Sequence, residues 1–494
     1  MTTIQPRPPA SSAAPSSSRS DAHSRGLSPM QWKAAGVAGV AAAVFGGLIA
    51  QNPMVVGAIL GLLVVSGVII WRPWLGLAML VFILPLNGMI SAFIGLGPQS
   101  VLFGAIKDYM LLLMTVTTFF GGRLKRVPIP LVLLVFVLLL LGGASAVFTP
   151  NFEQASYGWR NDFLPLLLLI VIPATVTAFE AKKLAVLFAI ATQASALVTI
   201  FTWSQGIQWL RTLGRLPVPA GEEWPVSLFV AGSNTPRGFS PYVAPNEAAV
   251  AMTVLLAIIW CRSNWRIRTK LALSALPLVA IGLTQSRSGF VGLAMLALAI
   301  LAFYAYKMRA MLVPALVSTG VLLGIVVIQV YLFLLTVLFP IPDPSLAGHE
   351  DSLMQNLPYL WTHPFGIGVG QVGPRAFRYS LDAVRVESFL LLLAIEAGIL
   401  VLGLFLALLA YVFVKCVRAG SMEAYTAPAA IVGSLVSITV LPTLQEGPVA
   451  YTLWIAVGLG IVAWLDAPRR DPVGLQRRGR LRVLRPPRRD VASL

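Results

Sequence analysis

Thr284-Gln285-Ser286-Arg287-Ser288-Gly289-Phe290 is a polar knot between two long apolar runs, 268–285 and 287–306. Each run has about the twenty residues that a helix needs to cross a hydrocarbon layer. An arginine between two such segments is costly near a bilayer, so it marks a functional site unless something else explains it. Read as the end of one membrane helix and the start of the next, the knot sets the pattern for the whole chain.

The pattern recurs on both sides. Of 494 residues, 57% are hydrophobic and only 11% charged. Apolar runs lie near 34–51, 53–71, 75–96, 101–121, 129–148, 161–181, 183–206, 243–261, 268–285, 287–306, 311–339, 387–416, 426–443 and 450–466, about fourteen in all. None alternates with period two, and a segment inside lipid must bond its own backbone groups, so the runs read as helices and not barrel strands. The expected fold is all-α: a polytopic membrane protein with about fourteen transmembrane helices and a long outer segment, 340–386, before the twelfth. Residues 1–30, rich in Ser, Ala and Pro, read as a disordered tail. The first apolar run begins after Lys33 with no shorter one ahead of it, so no cleavable leader is expected.

Charge tests this register, because Lys and Arg collect in cytoplasmic loops. With the N-terminus inside, the inner loops contain Arg72; Arg123, Lys125 and Arg126; Lys182 and Lys183; Arg262, Arg266, Arg268 and Lys270; Lys307 and Arg309; and Lys415 and Arg418. The tail after Asp466 adds nine arginines and reads as an anchor on anionic lipid. A net charge of +17 is thereby explained by topology, and nucleic-acid binding is not expected. Cys261 and Cys416 fall beside inner loops and imply no disulfide, and three histidines without ligand spacing imply no metal.

The same register leaves some arginines outside, where the topology rule does not ask for them. Arg160 lies in Tyr157-Gly158-Trp159-Arg160-Asn161-Asp162, Arg237 in Pro236-Arg237-Gly238-Phe239, and Arg287 in the knot. Helices starting near 161, 243, 287 and 387 all present their N-termini outward, where free amides and the positive dipole end favour anions. Three guanidinium forks beside such ends suit a diphosphate. Each also has a plain structural reading: Arg160 can pair with Asp162 or Glu153, Asn246 can cap its helix behind Pro245, and Glu387 can be an end charge. Glu387 can equally be a general base or orient an acceptor hydroxyl. Arg211, Arg215, Arg375 and Arg378 read as loop or lipid-facing charges. The run Pro364-Phe365-Gly366-Ile367-Gly368-Val369-Gly370 lacks the strand–turn–helix context of a nucleotide loop and reads as a tight turn near the site.

Five elements, in order, carry a resemblance: Arg160 through Leu164; Arg237-Gly238-Phe239 through Pro245-Asn246-Glu247-Ala248; Thr284 through Gly289; His363 through Gly370; and Glu387 with Glu396-Ala397-Gly398. Together they resemble the O-antigen ligase and O-antigen polymerase superfamily over roughly residues 155–417. The resemblance implies the architecture of multi-helix membrane glycosyltransferases that take a glycan from undecaprenyl diphosphate and move it to an acceptor hydroxyl at the outer face, with no cofactor or metal. It implies that Arg160, Arg237 and Arg287 hold the diphosphate, with Arg287 and Glu387 catalytic and Ser286, Asn246 and Ser388 in support. Ligases of this kind carry histidine where this chain has Glu387, which favours polymerisation of lipid-linked repeats over ligation to lipid A core.

The implied domains are 1–30, a cytoplasmic tail; 31–154, N-terminal helices; 155–417, the ligase/polymerase-like core; 418–466, C-terminal helices; and 467–494, a basic cytoplasmic tail. The implied setting is the bacterial cytoplasmic membrane, with both termini inside and the site facing outward. Its partners are the lipid-linked glycan, an acceptor glycan or lipid, and other polysaccharide-assembly proteins. Two other classes fit the outer arginines less well. A small-anion, bicarbonate-like transporter calls for charged midplane segments and repeated halves, neither of which is visible. A non-catalytic assembly component predicts that neutral substitution of the arginines leaves polymer production intact.

Overall fold

The computed structural model describes residues 53–86, 98–206, 236–238, 244–308, 352–379 and 383–467. The expected N-terminal tail, the runs at 34–51 and 311–339, Arg211, Arg215 and the C-terminal tail lie outside them. The chain divides into two units, one up to Gly67 and one from Val68 onward. In the first, the described residues belong to helix α1 (Pro53–Trp71). The second contains α2 (Pro73–Ile83), α3 (Pro98–Phe120), α4 (Ile129–Ser145), α5 (Phe152–Asp162), α6 (Leu168–Thr175), α7 (Ala178–Gln205), α8 (Pro245–Trp260), α9 (Ile267–Thr284) and α10 (Arg287–Met308). It continues with α11 (Phe389–Ala397), α12 (Ile399–Ala419), α13 (Thr426–Val440) and α14 (Gly447–Asp466).

Among the described residues, six helical stretches are long and apolar enough to cross a membrane: 129–148, 178–205, 267–284, 287–305, 399–419 and 447–466. The protein therefore has the helices of a multi-pass membrane protein. No strand occurs among the described residues, only an isolated bridge between Val372 and Val384. Proline opens α2, α4, α8 and α14, where its missing N–H costs nothing.

Two apolar runs are broken where the sequence suggests continuity. Residues 161–181 form the end of α5, a 3-10 turn Leu164–Leu167 and the eight-residue α6, and α7 already starts at Ala178. Thr177 and Glu180 form a capping box there, so Lys182 and Lys183 sit on α7 and not in a loop. The run 387–416 breaks at Gly398, whose φ of +95° ends α11 before α12 begins. Apolar composition carries no information about such breaks.

Helix α14 lies at the centre, with 16 of its residues buried, against α6, α8 and α13. A helix that is apolar all round is a core helix. Small residues let the backbones close in: a Cβ on Gly458 would lie 2.7 Å from Ile172 and one on Gly460 2.6 Å from Ala427. Side-chain bonds join loops that the charge pattern groups together. At the end away from the knot, the Arg126 guanidinium donates to Val176 O (2.7 Å) and to Asp466 Oδ1 (2.5 Å), joining the α3–α4 loop, the α6–α7 loop and the last residue of α14. Ser263 likewise bonds Glu423, joining the α8–α9 and α12–α13 loops.

Candidate functional site

The knot is a tight turn with its own bonds. Gln285 is the non-glycine residue with positive φ (+49°) among those described, and it ends α9. Thr284 Oγ1 accepts from Ser286 N–H (3.3 Å), and Ser286 Oγ accepts from Gly289 N–H (3.2 Å), so Ser286 closes the first turn of α10. A Cβ on Gly289 would lie 2.4 Å from Ala249 Cβ, which fixes α10 closely against α8. Arg287 itself is exposed.

Arg237 reaches this turn. Its Nε donates to Thr284 O (2.8 Å) and its Nη2 to Asn246 Oδ1 (2.6 Å), while Gly238 N–H donates to Leu283 O (2.7 Å). Asn246 is thus not a simple helix cap: Ala244 occupies that position without a side-chain bond, and Asn246 holds an arginine. Burial pulls the Arg237 guanidinium below its ordinary pKa; Glu247 opposes the shift and Arg287 adds to it. Arg237, Asn246 and Thr284 are therefore brought together beside the start of α10, where Arg287 sits, a meeting the sequence alone does not show.

Arg160 stands in a different setting. Its Nε lies 3.3 Å from Asp108 Oδ2 on α3, and its guanidinium is over the Tyr157 ring at 5.1 Å. Asp108 Oδ1 also accepts from Tyr451 OH at 2.7 Å, and Lys107 Nζ lies 3.3 Å from the same oxygen. The carboxylate that Arg160 pairs with is thus Asp108, neither Asp162 nor Glu153.

Glu387 Oε1 accepts from Arg385 Nε (3.1 Å) and Nη2 (2.7 Å). Ser388 Oγ accepts from Leu391 N–H (3.3 Å), capping α11. Phe389 N–H donates to Leu441 O, Leu441 N–H to Ser437 O, and Ser437 Oγ to Ser288 O. This chain of bonds ties the Glu387 segment to the knot. The turn Thr443–Gln445 completes the convergence by packing against α5, α8, α11, α13 and α14.

Sequence reasoning missed several groups at this end. Arg375, read as a loop charge, is braced by Glu446 (Nε to Oε1, 3.0 Å; Nη2 to Oε2) and donates to Tyr157 OH. Burial alone would lower its pKa, but the Glu446 carboxylate and Tyr157 more than offset that and hold it above the ordinary arginine value. Asp162 and the fully buried Glu396 bring further carboxylates into this end: both Asp162 oxygens and Glu396 Oε2 are buried without a hydrogen-bond partner in the protein, while Glu396 Oε1 accepts from Val372 N–H at 3.1 Å. Glu446 and Asp108 could have been found by asking of acids what was asked of arginines: which charges interrupt apolar runs at the outer end.

The glycine-rich run is a wedge. Ile367 N–H and Gly368 N–H donate to Ile395 O and Glu396 O, while Gln154 Nε2 donates to Gly370 O. It fills the space between α5 and the α11–α12 break, so that a Cβ on Gly366 (φ +88°) would lie 2.4 Å from Glu396 O. His363 is exposed and bonded to Thr362. Among the described residues no cluster of His, Cys, Asp or Glu is arranged to hold a metal ion. No protein-family model and no curated protein matches the chain.

Proposed function

We propose that the protein is a membrane glycosyltransferase of the O-antigen ligase and polymerase type, taking a glycan from undecaprenyl diphosphate onto an acceptor hydroxyl. The observation that carries this reading is the convergence of Arg237 and Arg287 on one turn at the starts of α8 and α10. Like charges held beside each other, with backbone amides of two helix starts nearby, suit a diphosphate that carries negative charge on several oxygens. That charge grows as the glycosidic bond breaks, so the guanidiniums favour the transition state over the ground state. Arg160 contributes at the edge, with Asp108 fixing its position. Glu387, held by Arg385, orients the acceptor, with Ser388 setting the start of α11. On this reading the chain spans the bacterial cytoplasmic membrane about fourteen times, with both termini inside, and polymerises lipid-linked repeats in preference to ligating them to lipid A core.

The test is transfer by the purified full-length chain in liposomes supplied with undecaprenyl-diphosphate-linked repeat units. Wild type should lengthen the lipid-linked chains, and Arg287→Ala should not, at unchanged thermal stability. If the repeats never lengthen and no added acceptor is glycosylated, anion flux measured in the same liposomes would favour the transporter class instead.

A further inference from the structure

We propose that Glu247 is the carboxylate that takes the proton from the acceptor hydroxyl, an inference that rests on the transferase reading above. Glu247 follows Asn246 in the first turn of α8, next to the residue that holds Arg237. Its Oε2 is buried and makes no hydrogen bond within the protein. Three charged groups act on it electrostatically from three other segments: Glu446 from the turn before α14, Arg237 from the loop before α8, and Arg375 from the stretch after the glycine-rich run. Of these, Glu446 is already held by Arg375 through two bonds.

The plain alternative is an end charge on a helix dipole. An end charge is at its cheapest when solvated, whereas burying a carboxylate oxygen without a donor beside a second carboxylate costs free energy. The Oε2 lone pairs have no donor inside the protein, and a hydroxyl docked beside α8 would supply one, as a general base requires. Glu387 differs. Its Oε1 already accepts two bonds from the Arg385 fork.

In the proposed step the acceptor oxygen forms its bond to the anomeric carbon as that carbon's bond to the phosphate oxygen breaks. The bonding pair leaves on undecaprenyl diphosphate, held by Arg237 and Arg287. The hydroxyl proton passes to Glu247 and then to water. No oxidant or metal enters the balance.

The experiment uses the full-length chain in liposomes with lipid-linked repeat units and compares wild type, Glu247→Gln, Glu247→Asp and Glu387→Gln for initial rate against pH and for donor KM. Glu247→Gln should lower kcat by about 10²-fold or more, with donor KM little changed, and should remove the loss of rate on the acid side. Glu387→Gln should keep that acid limb. If Glu247→Gln does not fold, Glu247→Asp decides: a displaced acid limb supports the inference and an unmoved one overturns it. An active Glu247→Gln protein with wild-type pH dependence also overturns it while leaving the transferase reading standing. A wild type that transfers nothing, with donor and acceptor present, overturns both.

Discussion

Arg375 and Arg237 lie at the same end of the bundle and are held in opposite ways. Arg375 is locked to Glu446 through two bonds and to Tyr157 through a third, so its charge is cancelled where it sits. Arg237 donates to a carbonyl oxygen and an amide oxygen, which fix its direction, while Glu247 and Arg287 act on it with opposite sign. An arginine doubly bonded to a carboxylate acts as a brace, whereas carbonyl and amide oxygens aim a guanidinium in one direction. Arg160, positioned by Asp108 with Tyr451 and Lys107 around it, stands in a setting separate from that of the two other arginines the sequence groups with it.

The comparison breaks most visibly at Glu446. Glu446→Ala would strand Arg375 half-buried, at a cost of about 3 kcal/mol, and loosen the turn that gathers five helices. The expected outcome is a large drop in detergent-solubilised melting temperature, read by thermal unfolding. Glu446→Ala paired with Arg375→Leu should recover part of the loss, because the stranded charge goes with it. A melting point as low in the double variant as in the single one would deny the brace.

Next in size is Arg287→Ala, expected to lower transfer by about 10²-fold or more, comparable to losing one oriented donor at a developing charge. Its melting temperature should stay near that of wild type, since Arg287 is exposed. Arg287→Lys should recover only part of the rate, because an ammonium cannot grip two oxygens of a phosphate in the plane of a fork. A matched loss of stability in Arg287→Ala would place this arginine with the braces.

A third expectation concerns the wedge beside the site. Gly398→Ala puts a side chain on a residue at φ +95° and 2.7 Å from Pro364 O, so it should cost about 2 kcal/mol and displace the glycine-rich run. Protease cleavage within 363–373 should become faster. Activity should fall with it, because the same run packs on α5 and on the peptide of Glu396.

These sizes also show what the sequence could and could not reveal. Arg237, Asn246, Thr284 and Arg287 were legible because each interrupts or borders an apolar run, where a charge or amide has no cheap structural excuse. Their meeting was not, since it depends on how α8 and α10 close through Gly289 and Ala249. The partners of Asp108 were hidden for a different reason: Tyr451 and Asp108 are 343 residues apart, and nothing local in either segment names the other. The breaks at Gly398 and around Leu164–Leu167 were hidden because a short buried helix and a spanning one are equally apolar. Glu396, a carboxylate inside an apolar run, was the legible sign that the 387–416 stretch is not a plain span.

The smallest effect expected is at Arg385. Its side chain is 72% exposed while that of Glu387 is 16% exposed, so the pair lies at the surface and is screened. An exposed pair of this kind is worth under about 1 kcal/mol, and Arg385→Gln should leave the melting temperature almost unmoved. Its consequence should instead be chemical. With the two bonds from the guanidinium removed, Glu387 loses part of what aims it at the acceptor, so acceptor KM should rise while the acid side of the rate profile stays where it was. Measured beside Arg375→Gln, which should unfold the same end of the bundle, this substitution separates an ion pair that braces from one that tunes. A melting-temperature loss in Arg385→Gln as large as that in Arg375→Gln would erase the distinction between the two regions.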